Sequence, residues 1–145
     1  MFYYKQVNPR KWEKITISKP DITRWVTRPT KMVDINGDGK LDIVGMTIHN
    51  YGYTPFGKAS VFWMEFKGEN PLADNWVTHV IKWSDGVFSG RQGTGEKWDH
   101  MRFVDLDKDG DLDIIGNCEE YYKIENGIRS TLLGVVWFEN PAIQK

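Results

Sequence analysis

Apolar and polar residues alternate along this chain in short runs closed by Gly, Pro, Asn or Asp, and the runs come in repeating sets. "WVTHVIKW" (76–83) and "KWEKITIS" (11–18) alternate at period two and are rich in β-branched and aromatic residues, which is the pattern of a half-buried strand. The same holds for "TKMVD" (30–34) and "HMRFVD" (100–105), and for "LDIVGMTI" (41–48) and "LDIIGNCEE" (112–120). It holds again for "SVFWMEF" (60–66) and "GVVWF" (134–138). No stretch of ten residues or more reads as a helix.

These runs match one another in order. One strand enters an acidic loop, a second leaves it, a third carries Trp63 or Trp137 ahead of Glu-Asn-Pro, and a fourth carries Trp76 or Trp12 behind Asn-Pro. Internal similarity of this kind predicts an array of like units. The order places a lone fourth strand at 10–18, one complete unit at 22–83 and three strands of another at 98–139. Four antiparallel strands per repeat is the blade of a β-propeller. The expected fold is therefore all-β: a two-blade unit over 1–145, with the N-terminal strand completing the last blade in the same chain or in a neighbouring copy. Two blades do not close a ring, which takes about four to eight. The expectation is self-association of three or four copies through a cyclic head-to-tail interface, or completion by the remainder of a longer propeller chain.

The acidic loops are "VDINGDGKLDIVG" (33–45) and "VDLDKDGDLDIIG" (104–116). Counted from the first aspartate, positions 1, 3, 5 and 9 offer side-chain oxygens: Asp34, Asn36, Asp38 and Asp42, then Asp105, Asp107, Asp109 and Asp113. Position 7, Lys40 or Asp111, offers a backbone carbonyl. Oxygen donors at alternate positions of a tight loop wrap a hard cation. Neither loop contains His or Cys, which argues against zinc or copper, so calcium is the expected ion. Gly39 and Gly110 at position 6 allow the sharp turn. An EF-hand would need Glu at position 12 and a helix beyond it, but Gly45 and Gly116 stand there and the exit reads as strand. Dockerin-like loops fail on the same missing helix. The second loop carries more carboxylate than the first, so it is expected to bind more tightly.

The pattern D-x-[DN]-x-D-G-x-x-D resembles the calcium-binding repeats of integrin-type β-propellers, the FG-GAP or VCBS family. "VVWFENP" and "NWVTHVI" look like the third and fourth strands of bacterial and fungal members. The resemblance implies two structural calcium ions per chain, and an extracellular or cell-surface location, where calcium is plentiful. It leaves the activity open.

Composition narrows the remaining choices. The net charge is −1, from 19 basic and 20 acidic residues, which gives no electrostatic case for nucleic acid or an anionic membrane. No apolar run is long enough to span a bilayer, and "MFYYKQVNPRKW" lacks the features of a secretory signal. Cys118 is the one cysteine, expected to be a small buried residue. Trp12, Trp63, Trp76 and Trp137 recur at matching places and are expected to pack between neighbouring units.

Two connections after the second strands, "HNYGYTPF" (49–56) and "CEEYYKIENGIR" (118–129), are long for hairpins and rich in Tyr, Asn and Glu. Aromatic rings beside carboxylates and amides suit a sugar or a protein surface. His49, Tyr51, Tyr53, Glu119, Glu120, Tyr121 and Tyr122 are the candidate ligand-binding residues. Glu119 and Glu120 are adjacent, so on a strand they point to opposite faces and make a poor acid–base pair. With no G-x-S-x-G elbow and no other catalytic set, the expected function is a calcium-stabilised binding or scaffold module. The alternative is an enzyme or enzyme fragment acting on polysaccharide or sugar, of lyase or dehydratase type.

Overall fold

The computed structural model describes residues 2–17, 22, 27–47, 58–69, 76–84, 96–123 and 129–140. These residues are all-β and form three antiparallel sheets. The first is a hairpin of β1 (Phe2–Asn8) and β2 (Lys11–Thr16). The second is a four-stranded meander of β3 (Thr27–Val33), β4 (Asp42–Thr47), β5 (Ala59–Phe66) and β6 (Trp76–Trp83). The third has three strands, β7 (Glu96–Val104), β8 (Asp113–Lys123) and β9 (Arg129–Phe138). Pro29 lies in β3, an edge strand, where a missing backbone donor is tolerated.

One expectation about the N-terminal strand is corrected. The strand at 10–18 is not lone: it pairs with Phe2–Asn8 in register from Phe2 against Thr16 to Gln6 against Trp12. The turn has a local cause, since Arg10 N donates to Asn8 Oδ1 at 3.1 Å across Pro9. Completion of the last unit by that strand within the chain, one of the two alternatives expected, is not seen among the described residues. Among the described residues β2 pairs only with β1, and β9 only with β8.

The four-stranded sheet is buried on both faces, which explains why every residue of β4 is buried. On one face Val44, Met46 and Val61, with Trp63 and Ile81 beside them, meet Trp98, Met101, Ile114, Cys118, Val136 and Phe138 of the three-stranded sheet. On the other, Ile43, Phe62 and Met64 are covered by Ile17, Ile22, Trp76 and Val80. Fully burying one such side chain is worth about 1.5–3 kcal/mol, so the seam between the two larger sheets is the main source of stability. An ion pair seals one end of it, with Lys82 Nζ 3.0 Å from Glu96 Oε1. Glu96 is fully buried, and Trp98 Nε1 donates to its other oxygen at 3.2 Å.

Trp63 packs toward the three-stranded sheet as expected, Trp76 packs within the other cluster beside Phe66, and Trp12 and Trp137 are exposed. Trp98 is fully buried at the seam, and Cys118 is buried beside it.

The seam depends on a glycine. A Cβ on Gly116 would stand 2.6 Å from Met46 Cε and 2.9 Å from Trp98 Cζ3. Met46 is flexible, but Trp98 is rigid and enclosed. Gly116→Ala is therefore expected to overpack the seam and lower stability by about 1–3 kcal/mol, read as a lower urea midpoint at unchanged slope.

Candidate metal centre

Each acidic loop joins two paired strands, 34–41 between β3 and β4 and 105–112 between β7 and β8. The two loops share one hydrogen-bond pattern. The carboxylate at position 1 accepts two amides: Asp38 N and Gly39 N reach Asp34 at 3.0 and 2.8 Å, and Asp109 N and Gly110 N reach Asp105 at 3.1 and 3.2 Å. The side chain at position 3 accepts the position 5 amide, at 3.1 Å for Asn36 and 3.3 Å for Asp107. The one at position 5 accepts the position 7 amide, Lys40 N to Asp38 at 2.9 Å and Asp111 N to Asp109 at 3.1 Å.

Two left-handed backbone positions make this winding possible. Position 6 is expected to need Gly, and Gly39 and Gly110 have φ of 84° and 105°. Position 4 needs the same conformation: Gly37 has φ 72°, while Lys108 holds φ 66° with a side chain attached.

The position 9 carboxylates turn inward and fasten each loop to the next strand. Phe66 N donates to Asp42 Oδ1 at 2.9 Å, and at the matching place Asn140 N donates to Asp113 Oδ1 at 2.9 Å. Leu106 N takes the second oxygen of Asp113 at 3.0 Å. Both carboxylates are buried, yet they titrate in opposite directions. Burial dominates for Asp42 and raises its pKa, with Asp38 and Asp34 adding repulsion against the amides of Phe66 and Ile35. Burial also pushes Asp113 up, but the amides of Asn140 and Leu106 and the Trp137 indole outweigh it and hold it below the usual range.

Asp105, Asp107 and Asp109 each bring one carboxylate oxygen within 4.8 Å of the others. Two oxygens on a cation of calcium size, at about 2.3–2.6 Å each, lie no more than about 5 Å apart, so this triad fits such an ion. The donor set is all oxygen, which suits a hard cation. In the first loop Asn36 stands where the second has Asp107, and Lys40 is exposed, its Nζ 5.9 Å from the centre of the Phe66 ring. Asp111 is buried.

Two features escape the sequence pattern. Glu65, on β5, is buried and accepts from Asn36 Nδ2 at 3.2 Å, from His79 Nε2 at 2.9 Å and from Lys67 Nζ. His79 is in turn stacked on Trp63, ring centres 4.4 Å apart. Glu65 therefore orients a loop side chain from outside the loop. Asn140 ties the two loops together: its Nδ2 donates to Ile35 O at 2.6 Å and to Leu112 O at 3.2 Å. The recurrence of Glu-Asn-Pro was the available signal for Asn140. Nothing in the spacing signalled Glu65.

His49, Tyr51 and Tyr53 lie outside the described residues. Glu119, Glu120, Tyr121 and Tyr122 do not lie in a loop: β8 runs through them to Lys123, paired to Leu133, Leu132, Thr131 and Ser130 of β9. The extension is favoured by the β-propensity of Tyr121 and Tyr122 and by continuous pairing with β9. Glu119 is held by Lys97 Nζ at 3.0 Å, and Asp99 lies 3.0 Å from the same nitrogen. His100 is exposed and pairs with Asn117 beside a register shift.

Two tests follow from this geometry. Lys108→Gly is expected to remove left-handed strain of about 1–2 kcal/mol, partly offset by glycine's entropy, for a net gain of up to about 1 kcal/mol. Gly110→Ala is expected to lose about 1–2 kcal/mol, and urea unfolding reads both. The second test uses pH. Burial alone would raise Glu65, but Lys67 and His79 outweigh it and hold its pKa below 4.5. Its contribution is present above pH 4.5 and is lost as pH falls through the lower folded value. Glu65→Gln should therefore flatten the fall in thermal midpoint below that pH.

No protein-family model matches the chain, and neither a curated protein nor a solved structure matches it.

Proposed function

We propose that this chain is a calcium-stabilised binding or scaffold module built of β-propeller blades, with one structural calcium ion in each acidic loop. The observation that carries the reading is the repeated loop: two segments of one chain share the same amide-to-carboxylate pattern and the same two left-handed positions. Each loop ends on a buried aspartate tied to the following strand. The resemblance to FG-GAP or VCBS repeats supports the same reading, as does the four-stranded antiparallel meander.

Charge explains why a cation would be needed. Carboxylates gathered within 4.8 Å of one another repel, and water at exposed Asp107 screens part of this. Backbone amides offset part of the repulsion, and a divalent ion would offset the rest. The ion's role is structural, because the position 9 carboxylates point to strand ends and would couple occupancy to the sheets.

The ligand of the module is a glycan or a protein, met by the residues that follow the second strands: His49, Tyr51 and Tyr53 after β4, and Glu119, Glu120, Tyr121 and Tyr122 along β8. Their aromatic and carboxylate character suits either partner. The location proposed is extracellular or at the cell surface. No helix among the described residues is long and apolar enough to cross a membrane.

Calorimetric titration of the calcium-stripped protein is expected to give two sites, the one at 105–113 tighter. Asp105→Ala should abolish the tight site and Asp34→Ala the weak one. Free calcium at a hundred times the dissociation constant should add about 2.7 kcal/mol per site to unfolding. No heat and no thermal shift with calcium, or equal affinities in the two variants, would count against this assignment.

A further inference from the structure

Matching strands of the two larger sheets have unlike surroundings. β5 and β9 align through Trp63 with Trp137 and Glu65 with Glu139, which pairs Ala59 with Leu133 and Val61 with Val135. Val61 is fully buried, whereas its counterpart Val135 is 76% exposed, with Leu133 73% and Trp137 45% exposed beside it. Val61 and Trp63 are covered because the three-stranded sheet packs on that face. The same face of the three-stranded sheet has no cover among the described residues. The outer edges differ likewise, since β5 carries β6 while β9 carries no further strand among the described residues.

The chain also holds a strand of the missing kind. β2 repeats β6, with Trp12 where β6 has Trp76, each shortly after Asn-Pro. One edge of β2 is taken by β1, and no described strand pairs with the other. The hairpin displays Phe2, Tyr4 and Trp12, each more than half exposed. It cannot serve its own β9 in this arrangement. Ile17, just past β2, packs on the face of the four-stranded sheet opposite the one that meets the three-stranded sheet.

We infer that a second copy of this chain docks on the three-stranded sheet, adding the free edge of its β2 to β9 and covering Leu133, Val135 and Trp137 with its hairpin. This continues the seam already present between the two larger sheets, and it rests on the repeat reading proposed above. Backbone ladder bonds would supply affinity, and the apolar outward row of β9 would supply register. Because the hairpin and β9 lie on opposite sides of the four-stranded sheet, the contact is head-to-tail. Such an interface repeats from copy to copy until a ring closes. It also covers an apolar sheet edge that would otherwise invite unspecific pairing.

The test is mass by light scattering and native mass spectrometry, in calcium, across a concentration series. Val135→Lys and Trp12→Lys alter side chains exposed in the single chain, so each should fold. The wild type is expected to assemble beyond a dimer, and each variant to lose assembly. An equimolar mixture of the two variants should form a heterodimer that grows no further, because one intact hairpin meets one intact β9. A wild type that stays monomeric, variants that assemble as the wild type does, or a mixture without heterodimer would each overturn the docking. Calcium calorimetry on the same samples separates the two proposals. Two ions bound to a chain that stays monomeric overturns the docking alone. Assembly with the expected variant behaviour but no calcium binding overturns the calcium reading alone.

Discussion

The close approach of two sheets at Gly116 is the constraint on which the rest of the structure depends. Met46 and Trp98 occupy the space where a side chain at that position would stand, and the seam around them holds most of the large buried residues. The same glycine lies three residues beyond Asp113, the last carboxylate of its loop. Loop and seam are thus set by one short stretch of β8. A change of register by one residue would move Ile114 and Cys118 out of the core and turn Asp113 away from Asn140.

Electrostatics and packing meet at the ends of the third strands. Asp42 and Asp113 are buried carboxylates, and each accepts an amide from the residue that ends β5 or follows β9. A buried carboxylate without such donors would be costly. Burial outweighs hydrogen bonding at Asp42 and raises its pKa, whereas at Asp113 burial is outweighed by hydrogen bonds, which lower it. Asn140 adds a link between loops, since its side chain donates to carbonyls from both.

Much of this was legible in the sequence where local pattern decides the outcome. Period-two alternation located β2 to β9, and the D-x-[DN]-x-D-G frame located both loops with their position 6 glycines. What escaped depends on contacts distant in sequence or on backbone geometry that no residue type announces. Glu65 reaches Asn36 across 29 residues, and its counterpart Glu139 is exposed, so the repeat itself gave no hint. Lys108 adopts a left-handed conformation that the lysine conceals and that only comparison with Gly37 reveals. The extension of β8 through Glu119–Tyr122 was hidden because aromatic and acidic residues after a strand suit a loop as well as a long ladder. Equivalence by sequence also misled at the tryptophans. Trp63 and Trp76 lie on the central sheet and are packed, while Trp12 and Trp137 lie on the outer sheets and are exposed.

That contrast bears on how repeats acquire function. A unit with neighbours on both faces spends its apolar residues on packing, as β4 does, and leaves only its loops for recognition. The three-stranded sheet carries similar residues, but no described residue covers its outward face. Its surface is then apolar for a structural reason, and the residues at 133, 135 and 137 need no separate ligand to explain them. The residues expected to form a polar connection after the second strand of the last unit meet that demand differently, since Glu119–Tyr122 extend β8 and pair with β9. Glu119 is also tied to Lys97 of β7, so a change at that position reaches the sheet as well as its surface.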